Sequence, residues 1–191
     1  MPLSQSKPRQ PIHTRQIECR GFRREDGLWD IEGHLTDVKT YGFDGEFRGP
    51  VPAGEPVHEM WIRITVDDEL VVREIEAVTD KSPYPVCPAI TPNFQRLSGL
   101  SLRPGFLSKV RERLGGVEGC THLVELMGPI ATTAYQTIYP YRHRVLREAG
   151  APPLNPKPGE KPRLIDTCHA YKRDGEVVKR LWPEFHTGPK A

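Results

Sequence analysis

The chain has 191 residues, a net charge of +2 and 37% apolar residues, which suits one domain with a modest core. Lys and Arg are spread without a dense basic block, so we expect neither nucleic acid nor a membrane surface as a partner. The first residues lack a signal-peptide core, and no apolar run reaches the ~18 residues of a membrane span. We therefore expect a soluble, cytoplasmic protein whose four cysteines are reduced.

Strand signals dominate the first third of the chain. Residues 1–14 are rich in Pro, Ser and Gln and predict a flexible arm. Strand-like runs come next at Arg15–Arg23 and Leu28–Lys39, and the Asp26-Gly27 pair between them is a strong hairpin signal. Residues 41–57 carry four Gly and three Pro and predict a loop.

A second hairpin comes after this loop. Apolar side chains at even positions from Met60 to Val66 alternate with Trp61, Arg63 and Thr65, so one face of the strand should be buried. The chain turns after Val66 and returns along Leu70–Val78. The same phase predicts that His58 faces inward, whereas His34 belongs to the polar face of its strand.

Helical periods occupy the middle of the chain. We expect short helices at Pro92–Leu100 and Gly105–Leu114, and a longer one after Cys120 with an apolar stripe that reaches Ile138. Gly128-Pro129 should bend or break this helix.

The sequence after residue 149 indicates a linker and then a last hairpin. Residues 150–164 are Pro-rich, and residues 165–186 read as two strands around Asp174-Gly175 that join the sheet. The predicted fold is therefore α+β: one domain over residues 15–149, in which an antiparallel sheet of hairpins carries helices on one face.

The junction at Gly119-Cys120 holds the leading candidates for chemistry. Cys120 stands where a helix begins, and the unpaired N–H groups and positive dipole end there favour a thiolate. Cys120 as nucleophile and His122 as base are our catalytic candidates, with His58 as the alternative base, and Glu125 shares a helix face with His122. A small buried residue at a packed helix start and an exposed polar pair are the alternatives.

Other candidate metal ligands stand at the ends of regular elements. His58 opens a strand, Asp80 comes after a strand end, and Cys87 lies between prolines that pre-position its thiol. With Cys120 and His122 they predict a site for one metal ion, zinc ahead of iron or an iron–sulfur cluster. A hydrogen-bonded core histidine and a buried turn cysteine are the alternatives for His58 and Cys87.

Three strings resemble a bacterial protein family known as a domain of unknown function. They are Gly27–Leu35 (GLWDIEGHL), Glu76–Tyr84 (EAVTDKSPY) and Gly119–Leu123 (GCTHL). The resemblance spans about residues 15–185 and implies no established activity.

Residues 50–138 also resemble the iron–sulfur cluster scaffold proteins in their order of elements. Val66–Val72 is similar to their strand–turn–strand, Cys87 falls at their middle cysteine, and Cys120–Glu125 is similar to their Cys-Ser-x-Leu-Ala-Glu. Leu100 stands where those proteins have a lysine, and His58 falls near their first cysteine. The resemblance implies a mixed site of His58, Cys87 and Cys120, suited to one zinc-like ion.

Three functions stay open at this point. The first is a scaffold-like metal-binding domain, which includes a small-molecule enzyme with an open metal position. The second is a metal-free cysteine enzyme that uses Cys120. The third is an accessory or interaction protein with a degenerate site, for which a protein partner or a homo-oligomer is equally compatible with the sequence.

Overall fold

The computed structural model describes residues 3–151 and 159–188, and the part of the predicted linker at 152–158 lies outside them. The chain divides into two compact units, Met1–Pro140 and Tyr141–Ala191. Nearly all of the predicted sheet and helices belong to the first unit.

The first unit is built on a four-stranded antiparallel sheet in the order β1-β2-β5-β6, as the hairpin signals predict. Its strands are β1 (His13–Arg23), β2 (Trp29–Lys39), β5 (Pro56–Val66) and β6 (Val72–Lys81). The segment predicted as a loop contains a separate small hairpin of β3 (Phe43–Gly45) and β4 (Gly49–Val51). The predicted arm ends earlier than expected, because β1 already begins at His13.

One face of the sheet is the core face. Odd positions of β2 pair with even positions of β5, for example Ile31 with Ile64 and Leu35 with Met60, and these four side chains are at most 1% exposed. The opposite face carries ion pairs and a flat stack of His34 on Trp61, with 3.5 Å between ring centroids. His34 thus lies on the polar face, as its phase predicts.

Helices cover the core face. A 3₁₀ segment at Cys87–Leu97 and the helices α1 (Phe106–Leu114) and α2 (Thr121–Glu148) bury apolar stripes in the same hydrophobic cluster as the sheet. In the part of the chain that the structure describes, no helix is both long and apolar enough to cross a membrane.

Helix α2 continues through Pro129 without the expected break. Proline removes one backbone N–H and crowds the preceding turn, which normally interrupts a helix. Here Leu126, Met127 and Ile130 are fully buried on both sides of the proline. We infer that this packing outweighs the one lost hydrogen bond.

Two glycines let α2 approach the sheet closely. A Cβ atom at Gly33 of β2 would lie 2.8 Å from Ile130 Cδ1, and one at Gly21 of β1 would lie 2.0 Å from Thr137 Oγ1. A Cβ atom cannot lie this close to another side chain, so glycine is required where the helix crosses the two strands. This contact sets the course of α2 across β1 and β2.

The second unit lacks the hairpin predicted for residues 165–186. That segment forms a 3₁₀ turn at His169–Tyr171, helix α3 (Glu176–Leu181) and a second 3₁₀ turn at Pro183–Phe185. The Asp174-Gly175 pair ends a turn and starts a helix, because the Gly175 carbonyl accepts the N–H of Lys179 at 3.1 Å. The α+β class with an antiparallel sheet is confirmed for the first unit, whereas the last hairpin is wrong.

Gly21→Ala should destabilise the fold by about 1–3 kcal/mol, because the new methyl overpacks the contact with Thr137. Urea unfolding measures the loss. Thr137→Ala in the same background removes the nearest atom and should restore part of the stability. Equal losses with and without Thr137→Ala would contradict this contact.

Candidate functional site

A polar row crosses the core face at one end of the sheet. Arg15 of β1 pairs with Asp37 of β2, and Asp37 pairs with His58 of β5. The next row inward is Ile17, Leu35 and Met60, which share the same face. The polar row therefore lies at the end of the sheet where the core-facing positions of these three strands change from apolar to polar residues.

Asp37 is the centre of this row. Its side chain is 2% exposed. Arg15 donates from Nε to Oδ1 at 2.8 Å and from Nη2 to Oδ2 at 2.7 Å, a bidentate pair. His13 Nε2 lies 3.0 Å from Oδ1, and His58 Nδ1 lies 3.1 Å from Oδ2. The buried carboxylate is thus surrounded by donors on both oxygens.

The first turn of α2 covers this carboxylate. His122 places Nε2 4.0 Å from Asp37 Oδ2, and its ring lies against that of His58 with 3.9 Å between centroids. Glu125, one turn along the helix, pairs with the Nη1 of Arg15. Arg15 thereby links β1, β2 and α2 through two carboxylates.

Cys120 lies on the other side of His122. Its carbonyl accepts the first hydrogen bond of α2, from Val124 N at 2.9 Å, so Cys120 immediately precedes the helix. Its Sγ is 3.9 Å from His122 Nδ1 and 3.8 Å from Met60 Sδ. The two nitrogens of His122 therefore face different neighbours, a carboxylate and a thiol.

Among residues 3–151 and 159–188, one group of His, Cys, Asp or Glu has three ligand atoms within 4.8 Å of one another. It consists of Asp37, His58 and His122. Two histidines and one carboxylate are a ligand set used for zinc and for non-haem iron. The group can hold a metal ion.

Burial and charge set the protonation of the group. Burial works to raise the pKa of Asp37, but the hydrogen bonds and charge of Arg15, with help from His13 and His58, lower it to about 2. Burial lowers the pKa of His58, and the neighbouring His122 adds to this. Burial and then the Arg15 charge lower the pKa of His122. A carboxylate and two neutral imidazoles result near neutral pH.

Two β-bulges lie beside the polar row. The pairing of β2 with β5 shifts next to the Asp37–His58 pair, after Asp37 along β2 and before His58 along β5, which leaves Val57 unpaired. The pairing of β5 with β6 shifts at Glu59–Met60, which leaves Asp80 unpaired. Bulges redirect side chains and are frequent next to functional sites.

The predicted ligands are only partly brought together. His58 and His122 are in the group, and Cys120 contacts His122. Cys87 is half-buried at the start of the 3₁₀ segment, and Asp80 is the exposed bulge residue, so neither belongs to the group. The structure therefore does not group the shared set of His58, Cys87 and Cys120.

Sequence reasoning missed Asp37 and Arg15. The signal was present, because Asp37 has the same odd phase as the apolar residues Trp29, Ile31 and Leu35 of β2. A charged residue in the buried phase is unusual and needs a partner. Alternation applied to the whole of β2 would have identified the carboxylate.

A cleft of ≈ 440 Å³ borders the site between α1 and α2. Its apolar lining comes from Leu107, Val110 and Val124, and its polar lining includes Arg111 and Glu125. Glu125 is also the partner of Arg15, so one carboxylate joins the cleft to the polar row.

This fold and site define an α+β domain with a carboxylate–histidine corner under the start of a long helix. Residues 13–136 match the family DUF2889, described as proteins of unknown function, and the chain belongs to that family. The match lies within the first compact unit and confirms the predicted membership of a family of unknown function. No curated protein and no solved structure matches the chain, so the likeness to iron–sulfur scaffolds stays a prediction.

The lowered pKa of Asp37 predicts a specific pH dependence of stability. Below about pH 4, Asp37 is protonated in the unfolded chain, whereas in the folded chain it stays ionised down to about pH 2. The free energy of unfolding of wild type should exceed that of Asp37→Asn at pH 5, and this difference should fall by about 2 kcal/mol as the pH is lowered to 2.

Urea unfolding at several pH values measures this difference. Asp44→Asn, at an exposed carboxylate of β3, is the matched control and should show no such change. A constant difference between wild type and Asp37→Asn across the range would contradict the buried ion pair.

Proposed function

We propose that this domain binds one divalent transition-metal ion, zinc first, through Asp37, His58 and His122. The observation that carries the proposal is the convergence of these three side chains, from two strands and a helix, on one point. The bulge next to the Asp37–His58 pair supports the proposal, because such departures from regular pairing are frequent beside functional sites.

The distances suit ligation after a small movement. Asp37 Oδ2 and His58 Nδ1 are 3.1 Å apart, close to the separation of two ligands at about 90–100° around an ion with bonds of about 2.1 Å. His122 Nε2, at 4.0 Å from Oδ2, has to approach by less than about 1 Å. Its side chain is 23% exposed in the first turn of α2.

The charge around the group also favours a cation. Arg15 occupies one lone pair on each oxygen of Asp37, which leaves the Oδ2 lone pair that now accepts from His58. For a metal ion to bind there, the His58 proton would move from Nδ1 to Nε2, which frees the Nδ1 lone pair and keeps the imidazole neutral. The positive charge of Arg15 is offset by Glu125, so the carboxylate keeps its attraction for a cation.

With three protein ligands, the ion would keep coordination positions open for water or substrate. Such an ion can polarise a carbonyl or lower the pKa of a bound water. The cleft beside Glu125 supports a small molecule as the substrate, because it combines apolar walls with an arginine and a carboxylate. A small-molecule metalloenzyme is the function that we propose.

Metal titration tests the ligand set. Wild type should bind one Zn²⁺ per chain, and Asp37→Asn, His58→Ala and His122→Ala should each weaken binding more than about 100-fold, because each removes one of three protein ligands. Competition with a chromophoric chelator measures the affinities. Circular dichroism checks that each variant folds, and His122 at the helix surface is the variant least able to disturb the core.

Cys87→Ala and Asp80→Asn are the matched controls, since both residues lie outside the group. They should bind Zn²⁺ as wild type does. Loss of zinc in Cys87→Ala, or unchanged binding in His122→Ala, would overturn the proposed set.

A cysteine enzyme is the second candidate, and the order of Cys120, His122 and Asp37 favours it. The sulfur lies 3.9 Å from one nitrogen of His122, and the other nitrogen lies 4.0 Å from the carboxylate. In this function His122 takes the thiol proton and Asp37 orients the imidazole, as in a nucleophile–base–carboxylate triad.

Alkylation of metal-free protein with iodoacetamide tests the second candidate. Cys120 should react at least about 10-fold faster than the exposed Cys168, and His122→Ala should remove this advantage, because the base promotes the thiolate. Mass spectrometry of peptides gives both rates in one sample. A Cys120 that reacts more slowly than Cys168, unaffected by His122→Ala, would exclude this function.

A further inference from the structure

Two sulfur atoms and one nitrogen atom lie near one another on the side of His122 that faces away from Asp37, with Cys120 Sγ between the other two contacts. They are Cys120 Sγ, Met60 Sδ and His122 Nδ1, with 3.8 Å between the two sulfurs and 3.9 Å between Sγ and Nδ1. We propose that this cluster is a second metal site, which binds one Cu(I) ion. The proposal does not depend on an ion at Asp37, His58 and His122.

The spacing is that of atoms around a single ion. With metal–sulfur and metal–nitrogen bonds of about 2.3 and 2.0 Å, the two distances correspond to angles of about 110° and about 130° at the metal. The first angle is close to the tetrahedral value, and the second is about 10° wider than the trigonal value of about 120°. Both distances from Cys120 Sγ are therefore compatible with neighbours that share one ion with it.

The backbone explains why these side chains meet. Met60 comes two positions after His58 on β5 and therefore points to the same face, one row further into the core. Residues two apart within a helix do not face each other, but Cys120 precedes α2 and escapes the helical register. Cys120 can thus contact both Met60 and the Nδ1 of His122.

The chemistry of the donors selects the ion. Thiolate and thioether sulfurs are soft ligands and favour Cu(I), whereas zinc sites in proteins use Cys, His and carboxylates. Met60 is 1% exposed, so its sulfur lies away from water at the inner end of the cluster. Cys120 is half-buried, so an ion would enter past Cys120 and His122 and displace the thiol proton to solvent.

Cu(I) binding to the metal-free protein tests the proposal, with Cu(I) held by an excess of a chromophoric chelator. Wild type should take one Cu(I) per chain. Met60→Leu conserves volume and Cys120→Ser conserves shape, and each should weaken binding at least about 10-fold, because each removes one of three ligands. Met127→Leu, at another fully buried methionine, and Cys19→Ser are the matched controls and should bind as wild type.

X-ray absorption of the copper-loaded protein gives a second readout. Two sulfur neighbours are expected in wild type and one in Met60→Leu. Absence of stoichiometric Cu(I) in wild type, or equal affinity in wild type and Met60→Leu with unchanged sulfur count, would overturn the site.

Single substitutions should abolish binding at one metal site without affecting the other. Asp37→Asn should lose Zn²⁺ and keep Cu(I), because Asp37 has no atom in the sulfur cluster. Met60→Leu should lose Cu(I) and keep Zn²⁺. A loss of both metals in Met60→Leu would instead reveal a single mixed site and overturn the second one.

Discussion

The buried carboxylate of Asp37 is the interaction on which the site depends. A charge that is 2% exposed cannot persist without partners, and leaving a buried ion pair half-broken typically costs about 3–5 kcal/mol. Arg15 supplies the opposite charge across β1 and β2, and its remaining nitrogen reaches Glu125 on α2. Arg15 therefore neutralises Asp37 and also links the first turn of α2 to the sheet.

Position in the sheet explains why polar chemistry is confined to this end. Along β2 and β5 the core face is filled by apolar side chains up to Leu35 and Met60, and the glycines of β1 and β2 bring α2 close there. Beyond that row the helix begins, and its first turn brings side chains that are half-exposed, such as His122. Asp37 lies below these side chains, where a dry core meets an accessible helix start.

Alternation in the sequence was sufficient for the strands and for His58. The same logic applied to β2 would have located Asp37, although His34, at the opposite phase, is the more conspicuous polar side chain of that strand. The prediction of Cys87 as a ligand depends on its flanking prolines and on a resemblance, and neither feature indicates which residues lie close together in the fold. The last hairpin was wrong because Asp-Gly marks a turn without specifying the next element, and after Gly175 the chain forms a helix.

His122 connects the two proposed metal sites and also limits them. Its Nε2 faces Asp37 and its Nδ1 faces Cys120, but a neutral imidazole has one lone pair and one N–H. An ion bound through Nε2 leaves the proton on Nδ1, and the sulfur cluster then loses its nitrogen ligand. Unless the imidazole gives up that proton, the two ions weaken each other's binding by the same factor. The tautomer of His122 thus determines which of the two proposed sites has a nitrogen lone pair available for a metal ion.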